Sequence, residues 1–553
     1  MKVLIIGGYG TFGFGIAERL SNEAGLELVL AGRTLEKAKA ACAELEGANP
    51  AAKYTPLALD RNKLALDFKP DLIVDASGPF QAYEHQTVVD YCLEHAIAYA
   101  NISDDGAFVE AVEARTSEQV PLISGLSTCP VLSAIGLREV ERVIGPAEDI
   151  TIGIAPSPKA NLGRNVVAAV ANYAGQKIVP IRRANQRALA AGLTETRPVT
   201  ICVPGDVPLP RVSLALADAP DAVVLPESFP ALTDIWTGAG TRPVWLLRLL
   251  VLMSKAVAKG LLPKLTGFAG VFHHTRAFFS FGKHRGGFIL RGANETGEAS
   301  WHLVAEGDHG PRIPALPVAA LIRKMLRGET PKAGTYSGDQ IIDLTDMAPE
   351  FSQLDITYGL QYDGAELPIY EKIMGSSYAE LHPAVANLHR TPLEGSGQSR
   401  DFIGECTVTR GKNPLSHIVA WVVGFPKSGE NVPVTLKIEI EKNGERWTRN
   451  FGGRSFNSFH RLGTGKQARL MVENFGPMAM HMAILADDHK MRIKTQGWTL
   501  FGVPLPKFLR PGGDVYETQD AQGRFVFHVD LKAPIFGRLC KYEGWLVPKS
   551  ANT

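Results

Sequence analysis

Gly8, Gly10 and Gly13 stand at the spacing G-x-G-x-x-G directly behind Val3–Ile6, a short run of β-branched and aliphatic residues. Phe12, Ile16 and Leu20 follow on one face of a 3.6-residue period. Strand, glycine turn and helix in this order grip a pyrophosphate. The turn brings backbone N–H groups close to the anion, and the helix N-terminus supplies unpaired donors and a positive dipole end. Gly8 is expected to make the tight turn, Gly10 to let the backbone approach, and Gly13 to let helix and strand pack. Tyr9, Thr11 and Phe12 fill the loop around them. The chemistry in view is dinucleotide binding.

The base selectivity is read at the end of the second strand, Leu26–Ala31, which runs into Gly32-Arg33-Thr34. A site for the unphosphorylated dinucleotide places Asp or Glu here to accept from the ribose 2′-OH. Arg33, with Thr34 and Lys37, instead suits a 2′-phosphate, so NADP(H) is the expected cofactor. Asp60, after a third strand at Tyr54–Ala58, is placed to reach the adenine edge or to sit in an exposed loop. The fourth strand, Asp71–Asp75, ends in Ala76-Ser77-Gly78-Pro79-Phe80, at the carboxyl edge where such sheets bind ligands. Ser77, Gly78, Pro79 and Phe80 are expected beside the nicotinamide, with Phe80 also facing substrate. Ser77, Ser103 and Asp104 are the expected catalytic groups.

The elements that must position these residues are a helix at Glu84–His95 and strands at Ala96–Ala100 and Val120–Ser124. Residues 1–130 therefore read as a Rossmann-type domain with a parallel sheet. Residues 131–360 read as a second α/β domain that holds substrate. Strands are expected at Ile150–Ile154, Val199–Val203 and Val212–Leu216, with a helix at Val166–Ala174. Cys129 and Arg164 are its candidate substrate contacts. Cys129 has no histidine beside it in sequence to activate it, and a buried thiol is the alternative. His302, in the expected strand around Trp301, is an acid candidate or a structural histidine. Residues 365–553 alternate in the β period, with Asn443-Gly444 as a hairpin turn, and predict a mainly antiparallel β domain wrapped about a cavity. Arg449 and Arg454 flank a Phe-Gly-Gly turn in it. The apolar stretches Leu415–Phe425 and Phe501–Pro506 are candidates for a pocket mouth.

The segment 241–281 is apolar and basic, and from Ile235 to Asn294 there is no acidic residue. Thr241-Arg-Pro243 is a helix start, and Val244–Leu262 reads as a helix with Arg248, Lys255 and Lys259 in a narrow arc. Phe268, Phe272, Phe278, Phe279 and Phe281 extend the apolar character. Such a helix lies in a membrane interface, covers a lipid pocket, or is buried in a homodimer or domain interface with its lysines snorkelling.

The 553 residues carry 58 Lys and Arg against 57 Asp and Glu, a net charge of +1 that gives no general affinity for nucleic acid. The cysteines form no CxxC pair, so neither a zinc site nor a disulfide framework is expected. With no signal-like start and no long charge-free apolar run, the expected location is cytoplasmic or peripheral at the inner face of the membrane.

The early glycine motif, Ala31-Gly32-Arg33, Ser77-Gly78-Pro79-Phe80 and Tyr99-Ala-Asn-Ile-Ser-Asp-Asp105 together resemble the saccharopine dehydrogenase-like NADP-binding family over roughly residues 1–335. That family includes saccharopine reductases and trans-acting enoyl reductases of lipid synthesis. The resemblance implies an NADP(H)-dependent oxidoreductase, with an apolar, lipid-like enone, enoyl or imine substrate. Two other readings stand beside it: a membrane-associated lipid-binding protein with a non-catalytic dinucleotide fold, and a saccharopine-type amino-acid dehydrogenase. Many relatives read Tyr-x-Asp-x-Thr-Gly-Glu where this chain has Asn101. Asparagine cannot exchange a proton, so Asp104 or Asp105 would take any carboxylate role. From about residue 366 to 549 the chain resembles an uncharacterised bacterial domain fused behind such modules.

Overall fold

The computed structural model describes all residues except 49, 84–85, 160–169, 210, 241–243, 266–283, 363–366, 391–398, 415, 418–424, 535–536 and 550–553. The described chain divides into two compact units. The first comprises Met1–Val199, Val212–Thr296 and Leu303–Thr357, and the second comprises Thr200–Arg211, Gly297–His302 and Tyr358–Thr553.

The first unit begins with β1 (Lys2–Ile6), α1 (Thr11–Arg19), β2 (Glu27–Gly32), α2 (Leu35–Glu46), β3 (Lys53–Ala58), β4 (Leu72–Asp75), α3 (Thr87–Glu94), β5 (Ala98–Asn101), α4 (Gly106–Glu113), β6 (Pro121–Ser124) and α5 (Thr128–Ile144). The sheet order is β6-β5-β4-β1-β2-β3, with Gly334–Ser337 added as a seventh strand beyond β6. Every described pairing in it is parallel. Because β1 lies between β2 and β4, the strand order reverses at β1, and a crevice opens at its carboxyl end. Val3, Leu4, Ile5, Leu72, Ile73 and Val74 have no accessible surface. Such burial, at about 1.5–3 kcal/mol per side chain, outweighs the weak strand propensity of any single residue.

A mixed sheet follows in the same unit. Thr196–Val199, Val212–Leu216 and Asp234–Gly240 pair antiparallel, Asp234–Gly240 pairs parallel with Asp149–Ala155, and Gly286–Asn294 pairs antiparallel with the other edge of Asp149–Ala155. Val199–Val203, expected as a strand, is not one: the ladder ends at Val199, and residues 200–203 have no strand partner. In its place a polar hairpin, Lys177–Arg183 with Gln186–Ala191, turns through Ala184 and Asn185, both at positive φ. That is the two-residue turn whose twist suits paired strands. Of the expected helix Val166–Ala174, residues 166–169 lie outside the described residues, as does Arg164, and residues 170–173 are helical.

The second unit is an antiparallel barrel. Its sheet runs 478–487, 471–475, 454–462, 444–451, 429–441, 399–410, 537–548, 525–533, 512–519 and 490–500, and pairing of 490–500 with 478–487 closes the ring. Val503–Pro504 hangs outside it. Helices Ile369–Met374 and Pro383–His389 pack into the same core. Most of Leu415–Phe425 lies outside the described residues.

No helix among the described residues is long and apolar enough to cross a membrane. Helix Val244–Ala258 buries Leu247, Val251, Ser254 and Val257, and leaves Trp245, Leu249 and Leu252 exposed. The start at 241–243 and the phenylalanines of 268–281 lie outside the described residues.

Candidate active site

The phosphate turn forms because β1 runs out of ladder. Gly7 and Gly8 both donate to the Ala31 carbonyl at 2.8 and 3.0 Å, and Gly10 donates to Gly7 at 2.8 Å. The left-handed residue is Gly7, at φ +80°, one position before the motif's first glycine. The tight turn assigned to Gly8 is therefore made at Gly7, where a side chain would be strained. A Cβ on Gly13 would stand 2.3 Å from the Gly7 carbonyl oxygen, so only glycine lets α1 press onto the turn. Gly10 caps α1 without a side-chain bond. The first-turn N–H groups, including those of Phe12 and Gly13, thus stay available to an anion. Thr11 is exposed beside them, and Phe12 is half-buried.

Tyr9 lies over the end of β2: its ring occupies the space a Cβ on Gly32 would take, and its hydroxyl accepts from the Thr34 N–H at 3.2 Å. Arg33, Thr34 and Lys37 are exposed. Neither Arg33 nor Lys37 has an ion pair among the described residues, so both cations are free for a phosphate. Asp60 is an exposed turn residue that accepts from Asn62. Its neighbour Arg61 is the buried one. Arg61 pairs with Asp75 at 2.7 Å, its guanidinium lies 3.5 Å from the Tyr83 ring centre, and Nε and Nη1 have no partner among the described residues. Those orphaned donors, the bare helix end and the free Arg33 fit a phosphorylated dinucleotide.

Asp75 also fixes the loop that follows β4. Ser77 donates to its carboxylate from backbone N–H at 3.1 Å and from Oγ at 2.5 Å, and the Tyr83 hydroxyl donates to the Ser77 carbonyl at 3.0 Å. The Ser77 hydroxyl is thus committed to holding the loop. Gly78–Pro79 is a cis bond with Pro79 exposed. Phe80 is buried, packed 5.0 Å from Phe108 and edge-on to Tyr83, so it supports the loop from below. Asn101 ties two strand ends: Oδ1 accepts from the N–H groups of Ser103 and Gly125, and Nδ2 donates to Ser124. Ser103 has no exposure, and its hydroxyl accepts from the Asp105 N–H. Asp105 caps α4 by accepting from Phe108.

Asp104 is different. It is exposed, with Gln81 its side-chain partner at 3.4 Å, and protein atoms crowd around it. Burial pushes its carboxyl above the usual range, and Asp105 adds to this. Packing of α4 against helix Asp221–Ser228 brings Asp218 opposite. Burial, with Asp105 and Asp104 nearby, pushes Asp218 up to about 7. Tyr173 is raised by burial, with Asp218 and Asp104 adding to it. Cys129 is buried; burial and Asp221 push its thiol well up, which makes it a poor nucleophile. Asp221, fully buried, is itself raised to about 6 by burial. Asp218, Asp104 and Asp105 repel one another, so the group holds a proton to higher pH than an isolated carboxyl would. Asp218, Asp221, Tyr173, Arg61 and Asp75 were missed from sequence. The available signal was that Asp218-Ala-Pro-Asp221 follows the strand end at Leu216, as Asp75 ends β4.

His302 belongs to the second unit and has 1% exposure. It accepts from Cys202 N–H and bonds Ser300, and burial drives its pKa well down, so it serves as a neutral structural group. No cluster of three His, Cys, Asp or Glu able to hold a metal occurs among the described residues.

Residues 3–120 match the saccharopine dehydrogenase NADP binding domain, and residues 381–546 match a domain of unknown function, DUF4166. No curated protein matches the chain. Among solved structures, saccharopine dehydrogenase (L-Glu forming) from Saccharomyces cerevisiae is 12% identical, with 66% of this chain and 100% of that one covered at a TM-score of 0.43. A Gfo/Idh/MocA family oxidoreductase from Vibrio cholerae is 8% identical, covering 60% and 91% at 0.28. A secretary abundant heat soluble protein from Ramazzottius varieornatus is 7% identical, covering 29% and 100% at 0.17. The chain carries a saccharopine dehydrogenase-type NADP-binding domain ahead of an uncharacterised domain. The N-terminal match supports NADP(H) as cofactor and a dehydrogenase-type oxidoreductase.

Proposed function

We propose that this chain uses NADP(H) to reduce or oxidise an apolar, lipid-like substrate at a C=C or C=N bond, in the cleft between the two sheets of the first unit. Bound dinucleotide supplies hydride at the carboxyl edge of the parallel sheet. The α1 N-terminus holds the pyrophosphate, and Arg33 with Lys37 holds the 2′-phosphate. Asp75, through Arg61 and Ser77, keeps the nicotinamide-side loop in place.

The observation that carries the reading is the Asp104–Asp218 pair. A carboxyl raised to about 7 is a proton donor matched to neutral pH. Asp218 gives the proton, and Asp104 holds the charge that keeps it bound. The same acidity favours an imine among the candidate substrates, because a protonated C=N group is drawn to carboxylates and a polyanionic amino acid is repelled. The exposed stripe Trp245, Leu249 and Leu252, flanked by Arg248, Lys255 and Lys259, supports delivery from an anionic lipid surface.

Fluorescence titration with NADPH and NADH tests the cofactor half. Arg33→Ala should weaken NADPH by roughly 10–100-fold, the loss of a charge-assisted bond, and leave NADH unchanged. Absence of NADPH binding ends the reading. Turnover on alkyl-substituted cyclic imines, enones and enoyl thioesters tests the chemical half, with activity on imines alone expected from the charge argument.

A further inference from the structure

The barrel of the second unit has an inner face readable from strand alternation. Glu445, Trp447, Arg449 and Phe451 share one face of their strand, and Ser458 and His460 share that face on the next. Ten antiparallel strands close a wider ring than the eight whose interior side chains alone can fill, and helices Ile369–Met374 and Pro383–His389 enter it. Accordingly Arg449 and Glu473 point inward and still keep 17% and 12% side-chain exposure.

Most polar groups inside are matched. His460 accepts from the Tyr370 hydroxyl and meets Glu473, each at 2.9 Å, and Arg449 bonds Ser458 at 2.7 Å. Two are not. Glu445 is fully buried: Oε2 accepts from the Trp447 indole at 3.0 Å, and Oε1 has no partner among the described residues. His389, with 1% exposure, meets Glu517 through Nε2, and its Nδ1 has none. The Trp447 ring stacks on His389 at 5.5 Å, which puts both orphaned atoms around one indole. Leaving two such atoms unpaired costs free energy, and a ligand or water must meet them.

We propose that the barrel binds a long apolar molecule with a neutral hydroxyl head group, which donates to His389 Nδ1 and accepts from Glu445. A carboxylate acceptor on Nε2 leaves Nδ1 as the imidazole's acceptor. Burial shifts Glu445 toward its protonated, donating form. The Arg449 charge is already met by Glu473, so the cation over the Trp447 ring is not free for an anion. Entry lies at the seam of 490–500 with 512–519, joined only by Met491–Glu517 and Arg492–Tyr516 among the described residues. The adjoining seam runs unbroken from Gly512–Lys532 to Gln519–Phe525. The loop spanning the open seam exposes Phe501 (79%), Val503 (62%) and Phe508 (71%), a greasy lip suited to an apolar chain.

The test uses the full chain, with displacement of anilinonaphthalene sulfonate by 1-dodecanol and by sodium dodecanoate at pH 8. Dodecanol should displace the dye and dodecanoate should do so at least tenfold more weakly. His389→Phe and Glu445→Leu should each weaken dodecanol about tenfold, and Glu445→Gln, which keeps a donor, should bind near the parent level. Circular dichroism checks that each variant folds, and His389→Phe with Glu445→Gln decides the matter if Glu445→Leu does not. No displacement by dodecanol, equal or tighter dodecanoate, or a folded His389→Phe that binds like the parent overturns the proposal.

Discussion

Asp218 and Glu473 are both carboxylates withdrawn from water, one in the cleft of the first unit and one inside the barrel of the second, and they titrate in opposite directions. Burial raises Asp218 to about 7, helped by Asp105 and Asp104. Burial would raise Glu473 too, but His460 and Arg449 override it and hold the carboxyl at about 2. Desolvation is common to both; the sign comes from the neighbours. A region that keeps its acids uncompensated stores a proton for chemistry. A region that pairs them spends the same burial on a fixed architecture.

The largest effect should come from breaking the compensated side. Glu473→Gln leaves Arg449 partly buried without its counter-charge and should cost about 3–5 kcal/mol, seen as a lower melting temperature or urea midpoint of the second unit. Glu473 has a depressed folded pKa, so its contribution is full above about 4.5, the unfolded value, and is lost as pH falls through about 2. An acid titration of Glu473→Gln should lack that loss.

On the other side, Asp218→Asn should lower turnover by about 10²–10⁴-fold if Asp218 is the acid, with the residual rate losing its decline above pH 7. Its folded pKa is raised, so the stability tied to its proton is present below about 3.9 and is lost as pH rises through about 7. Melting temperature should therefore fall less between pH 5 and 8 in Asp218→Asn than in the parent. The smallest effect belongs to Asp104→Asn. With one like charge gone, Asp218 should titrate lower, visible as an acidward move of the same pH profile. An unmoved profile would show that burial and Asp105 set Asp218 without Asp104.

The parallel sheet was legible because β1, β2 and β4 are apolar on both faces and end at glycine or Asp75, a pattern that local sequence carries whole. The hairpin Lys177–Ala191 was not, since its strands mix arginines with exposed apolar residues such as Ile178 and Leu189, and its signal is the positive φ of Ala184 and Asn185, which an Ala-Asn pair does not announce. The phosphate turn was found, but its strained residue lies one place earlier, at Gly7, because the motif records spacing and the ladder decides where the chain turns. The acid pair was half seen: Asp104 was a candidate, whereas Asp218 meets it only through the packing of α4 on helix Asp221–Ser228. Alternation marks most of the barrel's strands but not Arg454–Leu462, and ring closure depends on register between 478–487 and 490–500 and on a seam between strands that loop 501–511 separates.

Gly334–Ser337, lying beyond β6, has a consequence for anyone who would isolate the nucleotide-binding half. A fragment stopping near residue 130 would strip β6 of its outer neighbour from Pro121 to Ser124 and bare a row of amide and carbonyl groups on an apolar strand. Such fragments should self-associate, and soluble truncations will need the distant tail strand supplied in cis.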